Sequence, residues 1–135
     1  MFEVKIKYEK TQDDGKEKRV TETYLLGALS FTEAEAKITD QMLPYISGEY
    51  EIANIKRAPY HEVHINDNGG WIYKARVLII TTTESGGIKT SPRTILFNAE
   101  DFKAAPVRLA EIMAGTMIDF RLTGITETPI LDYFK

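Results

Sequence analysis

"IKRAPY" at residues 55–60 and "ITETPI" at residues 125–130 share one pattern: Ile, polar, charged, small, Pro, apolar. If the likeness is more than local, the chain is one unit written twice, and the rest of it should repeat at the same spacing. Laying residue 1 onwards against residue 71 onwards supports this. Lys5-Ile6-Lys7 falls near Lys74-Ala75-Arg76, and Thr23-Tyr24-Leu25-Leu26 falls on Thr94-Ile95-Leu96-Phe97. Ala34, Ile38 and Met42 match Ala105, Leu109 and Met113, while Tyr50, Ile52, Ile55 and Pro59 match Phe120, Leu122, Ile125 and Pro129. Apolar character agrees better than identity does, as expected when both copies need the same buried positions.

The repeating unit reads as ββαβ. In the first copy "FEVKIKY" alternates strictly, with Phe2, Val4, Ile6 and Tyr8 on one face and Glu3, Lys5 and Lys7 on the other, which is a half-buried strand. Asp14-Gly15 marks a hairpin connection to a second strand, "RVTETYLL". Ser30 and Glu33 have capping-box spacing ahead of a helix on which Ala34, Ile38 and Met42 share a face, and Pro44 stops it. "GEYEIANI" resumes extended structure up to Pro59, and "HEVHI" is a candidate short strand.

The second copy runs "WIYKARVLIITT", a turn at "ESGG", and "IKTSPRTILF". A helix follows through "AEDFKAAPVRLAEIMAG", with Asn98 and Asp101 as candidate caps. Pro106 either kinks that helix or starts its main part, and Gly115 suits a left-handed terminal position. "TMIDFRLTGI" is the last expected strand, and "LDYFK" closes the chain.

A lone ββαβ unit covers only one face of a small sheet and is marginal in isolation. The expectation is therefore a single compact α+β domain over residues 1–135, made of two pseudo-symmetric halves (about 1–60 and 71–130) that bury each other's open faces. Two helices should pack on six or seven mainly antiparallel strands.

These stretches also carry a resemblance. "FEVKIKYEK", "YLLGALSFTEAEAKI", "PYISGEYEIANIKRA" and "GTMIDFRLTGITET" are similar to an uncharacterised domain of unknown function, found in small proteins of gut Bacteroidetes bacteria and their phages and mobile elements. The resemblance covers nearly the whole chain, and "LSFTEAEA" and "GTMIDF" are its most specific parts. It implies a prokaryotic or phage origin and a cytoplasmic setting, and it brings no catalytic residues to carry over.

Composition narrows the chemistry. The chain is 43% hydrophobic and 27% charged, which is globular, and its net charge of −3 gives no overall attraction to phosphate. With no cysteine, disulfides, thiolate nucleophiles and zinc–thiolate sites are excluded. Taking Met1 as the natural start, "MFEVKIKYEK" lacks the apolar core of a signal peptide, and no run approaches a membrane span.

His61 and His64 stand three apart on an expected strand and so point to opposite faces, which disfavours a shared metal. Ser30, Ser47, Ser85 and Ser91 read as caps or turns, and the Glu33/Glu35 and Glu100/Asp101 pairs sit at helix starts, where the dipole favours negative charge. The glycines of "SGEYE" and "ESGG" lack phosphate-loop spacing, and Gly69-Gly70 and Gly86-Gly87 read as turns. No catalytic residue, cofactor or metal site is expected, and an enzyme is disfavoured.

The pattern with most functional content is basic. Lys5 and Lys7 line one side of the first strand, Lys74 and Arg76 recur in the second half, and Lys56, Arg57 and Arg121 lie on the third strand of each unit. Near Tyr8, Tyr50, Tyr60, Trp71 or Tyr73, such a face could hold single-stranded nucleic acid by charge and stacking. Alternation, however, sends most of the aromatics to the other face. The primary expectation is thus a non-enzymatic binding or assembly module for a protein partner or a second copy of itself, as a homodimer. Single-strand binding is the alternative, and no membrane association is expected.

Overall fold

The computed structural model describes residues 1–135, and the fold is α+β. Its elements are β1 (Phe2–Thr11), β2 (Glu17–Leu26), α1 (Phe31–Met42), β3 (Tyr50–Arg57), β4 (Glu62–His64), β5 (Trp71–Thr82), β6 (Ile88–Ala99), α2 (Ala105–Ala114), β7 (Phe120–Glu127) and β8 (Ile130–Phe134). Eight strands form where six or seven were expected, because "ILDYF" is a strand and not a loose end. No helix is long and apolar enough to cross a membrane.

The chain forms two compact units. Unit 1 comprises Met1–Ala58 with Pro129–Lys135, and unit 2 is Pro59–Thr128. The chain thus leaves unit 1 at Pro59 and returns to it at Pro129, the two prolines of the matched stretches. Proline has no N–H to donate, so no ladder bond can be donated at its own position. The ladder's last bonds fall just ahead, Ala58 N–H to Met1 O at 3.0 Å and Thr128 N–H to Ile72 O at 2.9 Å. Each change of unit is followed by a short parallel edge strand. β4 joins the edge of unit 2 and β8 the edge of unit 1, giving strand orders β3-β1-β2-β8 and β7-β5-β6-β4.

The shared plan extends to detail. The β1–β2 loop bonds Gln12 N–H to Lys16 O and Gly15 N–H to Gln12 O. The β5–β6 loop repeats this with Thr83, Gly87 and Gly86. Gly15 and Gly86 sit at φ 80° and 85°, a left-handed conformation that glycine adopts without a Cβ penalty. Register shifts between Lys5 and Ile6 on β1 and between Arg76 and Val77 on β5 place equivalent bulges on the facing strands β3 and β7, at Ala53 and Thr123.

Pairing also corrects one alignment. Phe2 faces Leu26 as Tyr73 faces Phe97, so Glu3 is equivalent to Lys74, Lys5 to Arg76, and Lys7 to Leu78. The sequence alignment of Lys5-Ile6-Lys7 was two residues out. A slip of two preserves every face, which is why hydropathy alone did not expose it.

In unit 1, Phe2, Val4, Ile6, Tyr8, Tyr24 and Leu26 cluster with Ala34, Ile38 and Met42 of α1. In unit 2, Tyr73, Ala75, Val77, Ile79, Ile95, Phe97 and Ala99 cluster with Ala105, Leu109 and Met113 of α2. Each helix covers one face of its own sheet. On the faces away from the helices, Leu25, Ile72 and Leu96 are also buried. A basic residue on each helix holds the incoming edge strand. Lys37 Nζ donates to Gly27 O at 2.7 Å and to Lys135 O, while Arg108 reaches His64 O at 3.4 Å.

Capping departs from expectation in three places. Ser30 Oγ accepts from Glu33 N–H, but the Glu33 carboxylate accepts from Leu29 N–H, one residue before the N-cap. Asn98 does not cap α2. It is buried and anchors the loop before β5 through Asn66 and Gly69, while Asp101 Oδ1 accepts from Ala104 N–H. Pro106 lies in the first turn of α2, where its missing N–H costs nothing. Gly115 is right-handed (φ −70°), and Met117 carries the left-handed turn at φ 56°.

Candidate functional site

The basic residues divide by face. In unit 1, Lys5, Lys7 and Lys56 lie on the face away from α1, and in unit 2, Lys74, Arg76 and Arg121 lie on the face away from α2. Lys56 is tied to buried Glu3 at 3.3 Å. Arg57 is turned to the helix side, its guanidinium 5.2 Å from the centre of the Phe2 ring and 5.4 Å from that of Phe31, a cation–π stack. With the register corrected, Lys5 and Arg76 are the one pair among these candidate residues that holds equivalent places. Three of the five aromatics do not join them: Tyr8 and Tyr73 are in the cores, and Tyr50 packs against the unit 1 core.

His61 and His64 serve structure. His61 Nδ1 accepts from Thr94 N–H at 3.0 Å, and the backbone of His64 is a partner of Arg108. No group of three acidic, histidine or cysteine side chains is placed to hold a metal ion.

A different site appears in unit 1, where the core-facing row of β2 reads Val20, Glu22, Tyr24, Leu26. Glu22 puts a carboxylate in an otherwise apolar row, one strand away from Tyr8. Tyr8 Oη donates to Glu22 Oε1 at 2.5 Å, and Tyr24 Oη donates to the same oxygen at 3.2 Å. Tyr24 in turn stacks on Phe134 of β8 at 5.3 Å. These residues line a pocket of about 600 Å³, with Glu9 and Lys10 from β1, Gln41 and Met42 at the end of α1, Tyr45 and Ser47 beyond it, and Leu131 and Asp132 of β8.

The electrostatics follow from burial beside negative charge. Burial, with the hydrogen bond to Glu22 and its charge, pushes the Tyr8 hydroxyl up to about 12. Tyr24 is raised as well, first by burial and then by the charge of Glu22. Both phenols therefore stay neutral donors at physiological pH. Nearby, the Glu17 carboxyl is raised through its hydrogen bond to Glu9 and the charge of Glu9, another mark of crowded acid at this end of the sheet.

With fold and site described, a family comparison decides the kinship: the family described as "Domain of unknown function (DUF4494)" matches residues 1–135. The chain belongs to the DUF4494 family. No curated protein and no solved structure matches it. The pocket of this DUF4494 chain must accordingly be read from its own chemistry. The sequence reading passed over Glu22, although a charge at every second position from Val20 and Tyr24 was a visible interruption of the pattern.

Proposed function

We propose that the protein is a non-enzymatic binding module whose site is the pocket of unit 1. It acts in the bacterial cytoplasm, with the prokaryotic or phage origin that the family resemblance implies. The observation that carries this reading is the Tyr8–Glu22–Tyr24 network on a core face. The equivalent positions of unit 2, by pairing register, are Ile79, Arg93 and Ile95. The backbone plan closes without the network, so the network answers to something other than folding. Tyrosines held protonated act as donors rather than bases, which supports recognition over catalysis. Descent of both halves from one ββαβ unit belongs to the same proposal, supported by the common bulges and hairpin loops.

A protein-observed NMR screen of small cationic, anionic and neutral compounds tests the module reading. At least one compound should shift the ring resonances of Tyr24 and Phe134. Binding elsewhere, or none, contradicts it.

A second reading is single-stranded nucleic-acid binding. The grouping of Lys5, Lys7 and Lys56 on one face, and of Lys74, Arg76 and Arg121 on the corresponding face of unit 2, favours it. The test is oligo-dT affinity against salt. Steep weakening, removed by charge reversal of Lys5, Lys7, Lys74 and Arg76, supports this reading, and no binding at low salt ends it.

A further inference from the structure

We infer that the unit 1 pocket recognises an ammonium or guanidinium group, such as a polyamine end or a basic side chain. This inference rests on the binding-module reading above and names its ligand class. Both phenols donate to Oε1 of Glu22, which fixes the carboxylate and leaves Oε2 to a further donor. The raised hydroxyls keep those donors in place, so Glu22 holds its orientation without a cation from the protein. Three carboxylates line the pocket (Glu9, Glu22 and Asp132), against Lys10 as the one basic side chain.

Two further features share that sign. The pocket lies at the C-terminal end of α1, where Gln41 and Met42 line it and the last turn carries no basic residue. The negative end of that helix dipole is thus uncompensated and favours a positive group. Four rings, those of Tyr8, Tyr24, Tyr45 and Phe134, also border the space, and aromatic faces attract cations. A carboxylate ligand would meet like charge and no paired base, and an apolar one would leave Glu22 dry and underused.

The test is calorimetric titration of the full chain with agmatine, putrescine and an acetylated lysine-containing tripeptide amide, with glutarate and butanol as controls. The cations should bind and the controls should not. The free amines and the tripeptide distinguish a metabolite from a peptide source. Glu22→Gln keeps the side-chain shape and should weaken cation binding about tenfold or more, since a charge-assisted hydrogen bond is lost. Asp132→Asn, at an exposed position, should weaken it by a smaller factor. Unchanged affinity in both variants overturns the inference. Binding of glutarate or butanol without the cations overturns it too, yet leaves the module reading standing. If no probe binds in the pocket, both fall.

Discussion

Tyr8 and Ile79 hold one place in two sheets built alike, as do Glu22 and Arg93, and Tyr24 and Ile95. The helices differ at matching points too, Gln41 against Ile112 and Tyr45 against Thr116. Strand order, hairpin loops, bulges and the buried helical triads agree across the units, so the backbone does not force these differences. Unit 2 sets Ile79, Ile95 and Ile112 around Arg93, while unit 1 keeps two phenols, Glu22 and an open pocket there. One plan thus has a packed version and an open version, and the open one carries the candidate site.

The comparison breaks most readily at the edge strands. Ending the chain at Thr128 removes β8, and with it buried Ile130 and the Phe134 partner of Tyr24. At 1.5–3 kcal/mol per buried side chain, unit 1 should lose about 3 kcal/mol or more. In hydrogen exchange, β1, β2 and β3 should lose protection well before β5, β6 and β7. Equal loss in both would show that the two apolar clusters do not unfold separately.

The clamps come next. Lys37→Met and Arg108→Met each remove a charged donor from an edge-strand carbonyl, at a cost of about 1–2 kcal/mol. Lys37 bonds two carbonyls, those of Gly27 and Lys135, and Arg108 makes one long bond, so chemical denaturation should show the larger loss for Lys37→Met.

Gly15→Ala and Gly86→Ala probe the likeness itself. A Cβ at either position meets nothing within 4 Å, leaving the left-handed backbone as the only penalty. Each should cost about 1 kcal/mol, and the two should agree. Unequal costs would mean that the loops share a shape but not a stability.

The smallest effect concerns pH. An unfolded tyrosine loses its proton near pH 10, whereas folded Tyr8 keeps its own to about 12. Between those values the unfolded state binds fewer protons, so stability falls as pH rises. Tyr8→Phe should flatten part of that fall in alkaline melts, with Tyr24 responsible for the remainder.

Much of this was legible in the sequence. Period-two alternation placed Phe2, Val4, Ile6 and Tyr8, and four-residue spacing placed both helical triads. The destinations of β4 and β8 were not legible, because pairing partners far apart in sequence leave no local trace. The two-residue slip on β5 hid for the opposite reason: hydropathy repeats at that very interval. Asn98 looked like a cap, since its chemistry suits one, and only the fold shows it spent on the Asn66–Gly69 loop. The pocket was missed because Tyr8 and Tyr24 read as core, which they also are.

The most direct test is the thermal midpoint of a triple variant, Tyr8→Phe, Glu22→Leu and Tyr24→Phe, which removes every polar group of the network and keeps both rings. If the network serves binding, removing all its partners together leaves no polar group stranded, and the midpoint should hold or rise while agmatine binding disappears. A midpoint lowered by about 4 °C or more, the equivalent of roughly 1 kcal/mol, would make the network a structural necessity and contradict the account.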